Sequence, residues 1–123
     1  MRKGRKISGG KYKKARKKRF YELKGQEIAV KLGKTKRKKI RVKSGKEKII
    51  LFMADEIDVI DKKTGKTKKV KIKNVLETPS NKFLARQNIL TKGAIVETEP
   101  ELGKVKITSR PSQQGSVQGV LIE

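Results

Sequence analysis

Eleven Lys and Arg residues fall between positions 2 and 19: Arg2, Lys3, Arg5, Lys6, Lys11, Lys13, Lys14, Arg16, Lys17, Lys18 and Arg19. A charge run is most often only a solvated face, but this density, interleaved with Gly and with the rings of Tyr12, Phe20 and Tyr21, suits another task. Such an arm can track the phosphates of a folded RNA while its rings stack on unpaired bases. Lys outnumbers Arg, which favours point-charge contact over bidentate reading of base edges, so shape more than sequence would be recognised. A second basic run, Lys34, Lys36, Arg37, Lys38 and Lys39 with Arg41 beyond it, predicts a hairpin loop over residues 33–39 held out from the body to grip a neighbouring backbone.

Catalytic chemistry finds little to work with. The chain has no His and no Cys, which removes zinc fingers, imidazole and thiolate metal sites, Ser-His and Cys-His catalysis, and disulfides. Two Gly-Lys-Thr triplets, at 33–35 and 65–67, lack the Gly that a phosphate-binding P-loop requires five positions earlier; those positions hold Ile28 and Ile60. Turns in Lys-rich hairpins account for both. The carboxylates Asp55, Glu56, Asp58 and Asp61 read as surface charges that offset nearby Lys. The rival reading is a magnesium-dependent nuclease built on Asp55, Asp58 and Asp61. No cofactor, metal or small-molecule substrate is expected.

The elements that would carry these groups divide by charge. Residues 1–48 hold 22 basic and 3 acidic residues, while residues 49–123 hold 13 and 9, within a formal net charge of +23 over 123 residues. That length is one domain's worth. So large a charge opposes compaction unless a polyanion neutralises it, and nucleic acid is the commonest one; an anionic membrane is the weaker candidate. Residues 11–24 form no continuous apolar stripe for a membrane-surface helix. The longest apolar run, residues 49–54, is far too short to span a bilayer, and no apolar stretch follows the N-terminus to make a signal peptide, so an intracellular protein is expected.

The organisation expected is a basic arm over residues 1–25, disordered without RNA, and a β-barrel body over residues 26–123. Alternation at Ile28, Val30 and Leu32, and at Ile40 and Val42, predicts short strands. Segments 57–60 and 70–72 flank a turn at 61–65, a short helical turn lies within 83–90, and three strands follow at 94–98, 103–108 and 116–122. The fold class is therefore all-β, a small β-barrel of six to eight short strands with a basic, extended N-terminal arm.

Three blocks carry a family resemblance: Arg5-Lys-Ile-Ser-Gly-Gly10 with Arg16-Lys-Lys-Arg19, Tyr21-Glu-Leu23 and Gly25; the middle from Ala54-Asp55 to Asp61-Lys-Lys-Thr-Gly-Lys66; and the stretch from Asn88 through Arg110-Pro111 to Ile122. The chain resembles the ribosomal protein S8e family of archaea and eukaryotes, and its shortness matches the archaeal type. The resemblance implies a β-barrel bound to 16S-type rRNA as a constituent of the small (30S) ribosomal subunit. Other small-subunit ribosomal proteins would be neighbours, in the cytoplasm. It also implies that Arg86, Asn88, Lys92 and Arg110 line a second RNA-facing surface. The alternatives are a ribosome-assembly factor sharing the barrel, against which the signature opening at Arg5 argues, and a DNA-compacting basic protein, which the same charge would serve.

Overall fold

The structure is a computed structural model and describes residues 4–12, 16–23, 25–99 and 102–122. Eight strands are described, giving the expected all-β fold. β1 (Lys31–Leu32), β2 (Lys36–Arg41) and β3 (Glu47–Ala54) form one sheet. β4 (Glu56–Ile60), β5 (Thr67–Glu77), β6 (Ile95–Glu99), β7 (Lys104–Ile107) and β8 (Gln118–Ile122) close a barrel. Two short helices interrupt it: α1 (Lys82–Arg86) between β5 and β6, and α2 (Pro111–Gln114) between β7 and β8.

The period-two pattern builds the barrel. Ile57 and Val59, Val70 and Ile72, Val96 and Thr98, and Val105 and Ile107 turn inward, while Asp58, Lys71, Glu97 and Lys106 lie between them on the outer face. Each strand pairs antiparallel with the next. A meander of five strands leaves its first and last running the same way, so the closing pair, β4 with β8, is parallel, with Val59 opposite Gly119. At Gly119 the barrel is narrow: a Cβ there would sit 2.6 Å from Val105 Cγ1 and 2.9 Å from the Lys106 carbonyl oxygen, so the position requires glycine. β5 bulges between Ile72 and Asn74, which resets its inward side from Ile72 to Val75.

Val30, Leu51 and Ala54 from the first sheet's region join the barrel residues in one core. This corrects two expectations. The strand predicted over 28–32 reduces to β1, because Val30 pairs elsewhere: its carbonyl accepts from Leu90 N–H at 2.8 Å, while Leu32 N–H donates to the Asn88 carbonyl at 2.9 Å. The alternation of Ile28, Val30 and Leu32 thus marks a bridge between segments. The loop predicted over 33–39 is also different. Only residues 33–35 connect; Lys36, Arg37, Lys38 and Lys39 belong to β2, paired antiparallel with β3, and the hairpin turns at residues 42–46, where Ser44 and Gly45 take positive φ. β2 lacks the apolar alternation of a strand because it is an edge strand exposed along its whole length, where lysines are tolerated and discourage pairing with a further strand.

Candidate nucleic-acid interface

In the arm, local hydrogen bonds shape the basic run. Lys6 N–H donates to the Gly10 carbonyl (2.9 Å) and Gly9 N–H to the Lys6 carbonyl (2.8 Å), closing a tight loop in which Gly9 takes φ +75°. Arg5 Nη1 donates back to the Gly9 carbonyl at 3.1 Å, and Lys6 Nζ lies 5.9 Å from the Tyr12 ring centroid. Further along, Phe20–Glu22 form a 3-10 turn. Glu22 receives Arg16 through two hydrogen bonds (2.6 and 3.0 Å) and the Arg19 N–H at 3.0 Å. The Arg16 guanidinium first, and the Arg19 amide second, hold the Glu22 carboxyl below its ordinary range. Arg16 is therefore less available to a ligand than Lys17, Lys18 and Arg19, which stand exposed beside it. Phe20 is 91% exposed and Tyr21 is exposed too, leaving both rings open for stacking. Arg2, Lys3, Lys13 and Lys14 lie outside the described residues.

β2 presents Lys36, Arg37, Lys38, Lys39 and Arg41 on an edge strand, with Lys34 exposed in the connection before it. Lys39 Nζ meets Glu47 Oε2 at 3.3 Å, an exposed pair that solvent screens heavily. The Thr35 hydroxyl donates to Asp55 Oδ1, tying this connection to the β3–β4 junction; that bond is the main reason the Asp55 carboxyl sits below its ordinary range.

The C-terminal half treats charge differently. Three of its carboxylates stand by lysines across the barrel's outer face: Glu56 is opposite Lys71 and Asp58 opposite Lys69, while Lys69 Nζ reaches Glu56 Oε2 at 3.7 Å and Lys73 Nζ reaches Glu97 Oε1 at 3.9 Å. Asp61 accepts from Lys63 N–H (2.9 Å) and the Thr64 hydroxyl (2.8 Å), which together hold its carboxyl below the usual value and shape the turn at 61–65. Each acidic residue of the nuclease reading is thus bound into a turn, a strand junction or a cross-strand register. Among the described residues no group of acidic side chains is arranged to hold a metal ion.

The four residues expected to share a second surface divide into two pairs. Lys92 and Arg110 border one shallow depression, with Thr91 and Pro111, beside the 28–30 segment. Arg110 caps α2 through its backbone, and its side chain is exposed. Arg86 and Asn88 line a larger cleft between β5 and α1. Asn88 takes φ +52°, its Oδ1 accepts weakly from Val75 N–H (3.4 Å), and its carbonyl accepts from Leu32 N–H (2.9 Å). Asn88 therefore joins β1, α1 and β5, a structural task that residue type alone did not reveal. The cleft also includes Asn74, Glu77, Thr78 and Lys82, which sequence reasoning missed because the register shifts in β5 and the placing of α1 beside it leave no periodic signal.

The family model described as ribosomal protein S8e matches residues 1–122. The chain belongs to the ribosomal protein S8e family. It is 53% identical over 117 residues to the small ribosomal subunit protein eS8 of Nanoarchaeum equitans, covering 95% of this chain and 91% of that one. Against the protein of the same name from Methanocorpusculum labreanum it is 44% identical over 119 residues, covering 97% and 94%. The Methanocella arvoryzae protein gives 43% over 119 residues, covering 96% and 93%. The family match runs through arm, β2 hairpin and barrel alike, so the basic arm is as much a part of it as the barrel is.

Proposed function

We propose that the chain is a non-catalytic constituent of the small ribosomal subunit that binds 16S-type rRNA in the cytoplasm, beside other small-subunit ribosomal proteins. Its relatives are named as small ribosomal subunit proteins. The observation that carries the reading is where the cations stand. Arm and β2 expose them with few carboxylates nearby, whereas barrel lysines face acidic residues across strands. Residues 1–25 act as the RNA-binding arm, which folds on the RNA, and residues 26–123 as the body that fixes arm and β2 relative to each other. The arm and β2 contact phosphate through Arg5, Lys6, Lys11, Lys17, Lys18, Arg19, Lys34, Lys36, Arg37, Lys38, Lys39 and Arg41, with Tyr12 stacking. Lys92 and Arg110 form a further contact. Among the described residues no helix is long and apolar enough to cross a membrane.

Sedimentation tests this reading: the native protein should co-migrate with small ribosomal subunits in moderate salt. Equal affinity for duplex DNA and structured rRNA in competition would support DNA compaction instead.

A further inference from the structure

The cleft between β5 and α1 has a composition that phosphate binding does not explain. It measures about 690 Å³ and is open to solvent. Val75 and Ala85 give it apolar wall, and Glu77 places a carboxylate there, which would repel an anion. Thr78 is the informative residue. It is 0% exposed and lines the cleft, yet its Oγ finds no hydrogen-bond partner among the described residues. A buried hydroxyl left unpaired is costly and rare, and it points to a ligand that supplies the missing partner. Asn74 and Asn88 lend their Oδ1 atoms to the Val75 N–H, so their amide NH₂ groups remain to serve as donors in the same wall.

Apolar side chains, a hydroxyl, amide donors and a carboxylate acceptor together suit a heterocycle with donors and acceptors along one edge. Cations border the same cleft: Lys82 and Arg86 line it, and the Arg86 guanidinium carbon lies 5.7 Å from the ring centroid of Phe83, which is 67% exposed. That pair offers a stacking face for the adjoining base, next to positive charge for its phosphate.

We propose that this cleft receives one unpaired nucleobase of the bound RNA, read on its Watson–Crick edge by Thr78 and Glu77. The proposal rests on the rRNA-binding reading above and adds to it a site that recognises a base. With Glu77 accepting from an exocyclic amino group and the Thr78 hydroxyl donating to the ring nitrogen beside it, the pair suits adenine or cytosine, whose ring nitrogen on that edge is an acceptor, over guanine and uracil, whose ring nitrogen there carries a proton.

Dimethyl sulfate probing of small-subunit rRNA bound to the full chain tests this, because the reagent methylates the Watson–Crick edges of unpaired adenine and cytosine. The native protein should protect one such base. Thr78→Val and Glu77→Gln should each lose that protection and weaken binding about tenfold, while the dependence of affinity on salt stays as in the native chain. Thr78→Val should melt no lower than the native protein, since it removes only an unpaired hydroxyl. If both variants keep the protection and bind within twofold of the native chain, the cleft does not hold a base, although a steep native salt dependence would leave the rRNA reading intact. If the native chain itself shows only shallow, weak binding to rRNA, both readings fall together.

Discussion

Replacing Lys36, Arg37, Lys38 and Arg41 together by Gln tests whether β2 is a phosphate-binding edge. All four are exposed, and none forms an ion pair among the described residues, so the change removes charge without opening the core. Lys39 is kept because Glu47 already engages it. Each phosphate neutralised contributes about −0.7 to −0.9 to the slope of log affinity against log salt. If about half of the 22 basic residues in positions 1–48 meet phosphates, the native slope is about −7 to −9. Four lost contacts should flatten it by about 3. Between 50 and 200 mM salt, that share corresponds to about a 50-fold smaller loss of affinity in the variant. Filter binding to a compact rRNA fragment over a salt series measures it, with circular dichroism to establish that β2 and β3 remain paired. An unchanged slope in a folded variant would show that β2 faces no phosphate. A native slope shallower than about −3 would refute the electrostatic clamp as a whole.

Deleting residues 1–24 should preserve the β spectrum, because no described residue before Val30 is buried, and should weaken rRNA binding strongly; circular dichroism and filter binding read the two halves. Gly119→Ala should destabilise the protein by about 3 kcal/mol in denaturant titration, at the upper end for overpacking, because one of the obstructing atoms is the backbone oxygen of Lys106. An unchanged midpoint would mean that the barrel can widen at β8. The lowered pKa of Asp61 contributes stability that is fully present above its unfolded value near 3.8 and is lost as pH falls through the lower folded value. Stability of Asp61→Asn, measured by denaturation at successive pH values, should therefore fall less steeply than that of the native chain below about pH 4.

Charge partition, the absence of His and Cys, and period-two alternation are properties of the chain itself, and from them came the all-β class and the expectation of a basic arm and a polyanion partner. Local alternation sufficed for β4, β6 and β7, because each buries one face and leaves the other in water. It failed at β2, where neither face is buried and the residues that make it a strand belong to β3, its partner across the hairpin. The 28–32 segment failed for a different reason: Val30 is buried, with Ile28 and Leu32 half-buried, but Val30 and Leu32 bond to Leu90 and Asn88, some sixty residues away. Tertiary structure alone decided that Arg16 is held by Glu22, that Asn88 joins three elements, and that Thr78 carries an unpaired hydroxyl at the wall of a cleft. Each depends on groups brought together by barrel closure, a β-bulge or a tight turn, and the spacing of residue types along the chain encodes none of those distances.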